Sequence, residues 1–150
     1  MEHIEVFLLS LQLDEEKSAC SSRKNRVLVI DDDKSILDSF VRILKKAGFE
    51  ADTAETGLEA ISKINAKDYE VVLFDFRLPD INGLQVACRV RNRLRNTVKI
   101  MITGYPTAEA KDQARKEGIY AYTSKPIRPN ELILYINQML EDKSRGKETL

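Results

Sequence analysis

The chain has 150 residues, 43% hydrophobic and 32% charged, and its 24 basic and 24 acidic side chains cancel to a formal net charge of zero. This is the composition of a single soluble domain with one core, and the balance excludes a general affinity of the whole chain for nucleic acid or another polyanion. A lone histidine, His3, and two cysteines without ligand spacing, Cys20 and Cys88, argue against histidine catalysis, a His-rich metal site or a disulfide framework.

In the first 25 residues Ile4, Phe7, Leu8 and Leu11 share one helical face, and Asp14 to Asn25 is polar. The spacing predicts an amphipathic extension, frayed or used for docking, followed by a linker. The apolar part has no basic leader or small-residue cleavage site, and Ser10 and Gln12 interrupt it well short of a membrane span. A cytoplasmic protein that makes no membrane contact is expected.

From residue 26 the pattern alternates. Val27 to Ile30 is a short apolar strand running into Asp31-Asp32-Asp33. Lys34 to Lys46 has helical periodicity, with Ile36, Leu37, Phe40, Ile43 and Leu44 inward and Gly48 closing it. Phe49 to Ala54 reads as a strand and Gly57 to Asn65 as a helix. Val71 to Phe74 is an apolar strand that ends on Asp75, with Pro79 barring its continuation. Asn82-Gly83 reads as a turn and Leu84 to Arg95 as the third helix. Val98 to Thr103 is a strand, Thr107 to Gly118 a polar helix, and Ile119 to Thr123 a strand ending near Ser124-Lys125-Pro126. Pro129 opens a last helix reaching Leu140, and a charged, frayed tail is expected from Glu141. Arg89, Arg91, Arg93 and Arg95 have a period of two, which scatters them round a helix as a solvated face.

Five strands alternating with five helices predict an α/β, flavodoxin-like, doubly wound (βα)5 domain. Its parallel sheet would have strand order 2-1-3-4-5 and helices on both faces. In that order the first and third strands are neighbours at the switch point, which brings Asp31, Asp32 and Asp75 together. Three close carboxylates repel, and a proton or a cation must relieve them. A set of oxygen ligands with room for water and phosphate suits Mg2+, or Mn2+. Asp75 is then a carboxylate nucleophile toward phosphorus, and Thr103 and Lys125 can donate to the phosphoryl oxygens. Taken singly, each residue has an ordinary explanation: a helix cap for the Asp triplet, a strand-end turn for Asp75 and for Thr103-Gly104, a solvated loop for Lys125. It is one polar group at each expected strand end that points to phosphoryl chemistry.

The chain resembles the receiver domain of two-component response regulators over about residues 26–141. The resemblance is carried by Val27 to Asp33, by Leu73 to Pro79 with Asn82-Gly83, by Met101 to Gly104 and by Ser124-Lys125-Pro126. The intervals of 43, 28 and 22 residues between Asp32, Asp75, Thr103 and Lys125 are similar too. It implies that Asp75 is the phosphoacceptor, served by a sensor histidine kinase or histidine phosphotransfer protein. It also implies that Asp31, Asp32, Asp75 and the backbone carbonyl of Arg77 hold Mg2+. Thr103 would be the switch hydroxyl, Lys125 the family's lysine, Pro126 the residue after a cis peptide bond, and Tyr122 the switch aromatic. Such a domain is a signalling phosphoacceptor, not an enzyme; it only takes up the phosphoryl group and releases it by autodephosphorylation. Its partners would be proteins, including a downstream target and a possible second copy, with no direct contact to nucleic acid. Arg77 and Tyr105 depart from a minimal receiver and would shield the acyl phosphate, prolonging its lifetime; Arg77 could also pair with Asp32 or Asp33 before metal binds. The units expected are an extension and linker over 1–25, the receiver over 26–141 and a charged tail over 142–150. If the chain is whole, no output domain is expected after residue 141 and output would be by protein contact, as a phosphorelay intermediate; otherwise the receiver would be part of a longer regulator or hybrid kinase.

Three rivals weigh against this. A metal-dependent phosphohydrolase with an Asp nucleophile wants a general acid two residues later, where Arg77 stands. A flavodoxin-like nucleotide binder wants a Gly/Ser/Thr-rich loop after the first strand, where three aspartates stand. A phosphorylation-independent interaction module on the same fold would need no acceptor set, and every part of that set is present.

Overall fold

A computed structural model describes residues 25–104, 107–119, 121–124 and 127–146, the segment 121–124 by its backbone alone. The predicted amphipathic extension, with the start of its linker, lies outside the described residues. Five parallel strands, β1 (Arg26–Ile30), β2 (Glu50–Ala54), β3 (Val71–Asp75), β4 (Val98–Thr103) and β5 (Ala121–Ser124), stand in the order β2-β1-β3-β4-β5. This is the predicted doubly wound order. Parallel strands need crossovers, and four helices supply them: α1 (Lys34–Lys46), α2 (Gly57–Ala66), α3 (Gly83–Arg89) and α4 (Ala108–Lys116); a fifth, α5 (Pro129–Ser144), follows β5.

The sheet divides the core in two. Val27, Val29, Val71, Leu73, Ile100 and Ile102 face α1 and α5, where Leu37, Phe40, Leu44, Leu132 and Ile136 meet them. Leu28, Ile30, Val72, Phe74 and Met101 face α2, α3 and α4. Every residue of β3 is buried, as a central strand covered on both faces requires.

The helix ends follow local chemistry. Asp33 caps α1, its Oδ1 accepting from Ser35 N and Ser35 Oγ at 2.9 and 2.7 Å. Gly48, at φ 96°, closes it as expected. The predicted third helix, 84–95, is shorter: α3 ends at Arg89, and a 3-10 turn over Arg91–Leu94 follows. Tightening the chain there buries Val90 and Leu94 together, at the cost of helix continuity. The last helix runs on to Ser144, so residues 141–144, expected to fray, are helical. Of the scattered arginines, Arg91 holds Glu117 and Arg93 holds Asp68, in keeping with a solvated face.

Candidate functional site

The site forms where β1, β3 and β4 end. Ile30 pairs with Phe74, so Asp31 and Asp75 leave their strands side by side. Asp75 pairs in turn with Ile102, one residue before Thr103. The acidic triplet divides its labour. Asp31 is 3% exposed, anchored by its N–H to Ala54 O at 3.0 Å, while its Oδ1 accepts from Asp33 N at 2.9 Å. Asp32 faces solvent, and Asp33 turns away as the helix cap. Asp75 is 7% exposed and Thr103 1%.

Asp31, Asp32 and Asp75 each offer a carboxylate oxygen, and these oxygens lie within 4.8 Å of one another. Mg2+ sits about 2.1 Å from its oxygen ligands, so two of them stand at most about 4.2 Å apart. The bound of 4.8 Å is close to that spacing, and Asp32, being exposed, can adjust toward it. The donor set is all oxygen, as a hard cation requires. The residues present fit Mg2+.

Arg77, two residues beyond Asp75, is exposed. Lys125, Pro126 and Tyr105 lie outside the described residues, as does the side chain of Tyr122, whose backbone pairs with Met101.

Three features of the β3–α3 loop differ from or add to the sequence-based expectation. Asn82-Gly83 is no turn. Asn82 caps α3, accepting from Gln85 N at 2.8 Å while Gln85 Oε1 accepts from Asn82 N at 2.9 Å. The Asn-x-x-Gln spacing ahead of an apolar helix was the available signal. Gly83 lets the helix start lie against the strand: its N–H donates to Phe76 O at 3.0 Å, and a Cβ there would collide with the Asp75 carbonyl. Asp80 reaches back to α2, its carboxylate accepting from Gly57 N at 2.8 Å and Leu58 N at 2.9 Å. Ile81 packs over Gly57, where no Cβ fits. Nothing local in the sequence announces a cap whose partners lie 22 and 23 residues away.

Slight desolvation pushes the Asp80 carboxyl up. The N–H groups of Leu58, Gly57, Ile81 and Asp80 itself outweigh it and hold the carboxyl below its ordinary value of 3.8. A depressed folded-state value means the contribution is fully present above 3.8 and is lost as pH falls through that lower value. Asp80→Ala is therefore expected to melt at a lower temperature than the parent at pH 7, with the gap narrowing at pH 3. Thermal melts at the two pH values check this; an equal gap at both would show that the charge is not what matters.

Comparison with known proteins bears on the same geometry. The family described as "Response regulator receiver domain" matches residues 27–137. The chain belongs to this family. Among curated relatives, the receiver is 32% identical over 121 residues to the cell cycle response regulator CtrA of Brucella ovis, covering 81% of this chain and 52% of CtrA. It is 29% identical over 124 residues to the regulatory protein AtoC of Escherichia coli, covering 83% of this chain and 27% of AtoC. The chain thus spans about half the length of one relative and about a quarter of the other. A CheY-like receiver domain protein from Methanospirillum hungatei superposes with a TM-score of 0.79 at 33% identity, over 83% of this chain and 99% of that one. The receiver's place is in two-component signalling. Among its described residues no helix is long and apolar enough to cross a membrane.

Proposed function

We propose that the receiver accepts a phosphoryl group on Asp75, with Mg2+ held by Asp31, Asp32, Asp75 and the carbonyl of Arg77, and so switches a protein-binding surface in a phosphorelay. The observation that carries the reading is the convergence of three carboxylates, two of them buried, at the ends of adjacent strands beside a buried threonine. When bound, the cation supplies positive charge against the incoming phosphoryl oxygens.

The donor is the phosphohistidine of a sensor kinase or phosphotransfer protein. A carboxylate oxygen of Asp75 attacks phosphorus, the P–O bond forms as the P–N bond breaks, and the electron pair of that bond leaves on the donor's imidazole. Asp75 is held for attack by its place in β3 and by Gly83 behind its carbonyl. The Thr103 hydroxyl and the Lys125 ammonium stabilise the phosphoryl oxygens. The added charge, up to two negative units, draws Thr103 inward, and Tyr122 fills the space it leaves. The altered face is that of α4, β4 and β5, where a downstream protein or a second copy binds. Residues 26–141 form the acting unit in the cytoplasm, whether the chain acts alone or within a longer regulator.

Intact-mass analysis after incubation with acetyl phosphate tests the reading. A gain of one phosphoryl group that requires both Mg2+ and Asp75 is expected, and Asp75→Ala gains none. A gain that persists in Asp75→Ala would place the acceptor elsewhere. The same spectra followed in time report the lifetime that Arg77 and Tyr105 are assigned to prolong; a lifetime unchanged in Arg77→Ala and Tyr105→Ala would remove that role.

A further inference from the structure

The carboxylates gather at the carboxyl ends of the strands. A contrasting cluster of cations gathers at the amino end of β4. A cavity of about 350 Å³ opens there between the 3-10 turn, the start of β4 and the end of α4, lined by Arg91, Arg95, Lys99, Arg115, Lys116 and Glu117. Its apolar lining is Ala87 and Leu94. Five cations meet one carboxylate, in a chain whose total charge is zero. That carboxylate is already engaged: Glu117 takes the fork of Arg91 through contacts of 2.8, 2.9 and 3.2 Å. Lys116 leans on Asp112 at 3.4 Å, outside the cavity lining.

The remaining three cations have no carboxylate among the described residues. Arg95 reaches only the Asn92 amide oxygen, at 3.2 Å. Arg115 has no ion pair. Lys99 is the most telling: its ammonium donates to two backbone carbonyls, Leu94 O at 2.7 Å and Thr97 O at 3.1 Å, with the Gly118 backbone close beside its stem. Burial pushes this ammonium below its ordinary value, and neighbouring Lys143 adds to the effect. A half-buried cation surrounded by other cations is an unfavourable arrangement that an anion in the cavity would relieve.

We propose that this cavity binds a small polyphosphate anion, either free or as the phosphate chain of a nucleotide. The volume falls in the range of small-molecule sites, about 300–1,000 Å³. Arg95 and Arg115 carry planar forks that match phosphate oxygens, and Lys99 is a point charge at the inner wall. The concave shape favours a compact anion over an extended acidic segment.

The test is an amide NMR titration of the full chain without Mg2+, so that the aspartate cluster does not attract phosphate. Inorganic triphosphate and adenosine triphosphate are the two probes. Saturable shifts confined to Leu94–Lys99 and Arg115–Ile119 are expected, weakened at least tenfold in the exposed-site double variant Arg95→Gln/Arg115→Gln while the rest of the spectrum is unchanged. Tighter binding of the nucleotide than of triphosphate assigns the ligand as a nucleotide; equal binding assigns it to the phosphates alone. Non-saturating shifts, shifts reproduced by sodium chloride at equal ionic strength, or binding that survives in the double variant would overturn the site. An acidic peptide that binds the same amides more tightly than either probe would overturn the ligand class.

Discussion

Gly83→Ala is expected to destabilise the receiver by roughly 1–3 kcal/mol, the usual cost of forcing atoms into a packed site, and to slow phosphoryl uptake at least about tenfold, since small displacements of a reacting group are costly. The reason is geometric. An added Cβ would collide with the Asp75 carbonyl oxygen and stand 3.2 Å from its carbonyl carbon. Both are main chain and cannot rotate aside. Either α3 backs away from β3 or the end of β3 moves, and Asp75 moves with it. Urea unfolding reads the first effect and mass-detected uptake from acetyl phosphate the second. Gly104→Ala is the stability control, because a Cβ at Gly104 meets nothing within 4 Å; its unfolding free energy should stay within about 0.5 kcal/mol of the parent's. Equal stability of the two variants would mean that the close approach at Gly83 is not a constraint.

Phe74→Ala is expected to cost about 3–5 kcal/mol, the range for an aromatic removed from a tight core. Phe74 is fully buried on the central strand, paired with Ile30 on one side and Met101 on the other. A domain of this size has a total stability of about 5–15 kcal/mol, so this one change removes a large part of it. Leu134→Ala, on α5 at 71% exposure, removes a side chain of similar type with little effect. A denaturation series with both variants checks the contrast; comparable losses would contradict the burial argument.

The inner strands β1, β3 and β4 were legible in the sequence because each is a largely apolar run that ends at a polar residue, the pattern of strands covered on both faces; β2, Glu50-Ala51-Asp52-Thr53-Ala54 at the sheet edge, carries no such run. The strand order followed from the alternation of strands and helices. The convergence of Asp31, Asp32 and Asp75 followed from that order, without any contact being known. What stayed hidden depends on packing. Leu84, Val90 and Leu94 have helical spacing throughout, and no glycine or proline between them marks the change to a 3-10 turn after Arg89. The helix cap considered for the Asp triplet falls to Asp33 alone, through Ser35, which leaves Asp31 and Asp32 for the cluster. Gly83 has the residue type of a turn but serves a close approach, and only the position of β3 behind it distinguishes the two.

The sheet's burial on both sides has a consequence for how its strands find their alignment. In a strand with one wet face, a slip of one residue turns every apolar side chain to water, and that penalty fixes the register. β1 and β3 lack such a penalty in their interiors: Val71 and Leu73 face one core, Val72 and Phe74 the other, and a slip would exchange one apolar set for another. Their distinguishing marks lie at the ends. Drawing Asp75 one place inward would put a carboxylate between Ile30 and Met101, where burying an unpaired charge costs several kcal/mol. Asp31 and Thr103 set the same limit on β1 and β4. The polar groups of the site therefore also act as stops against sliding: the residues assigned to phosphoryl chemistry are the ones that tell the strands where to end.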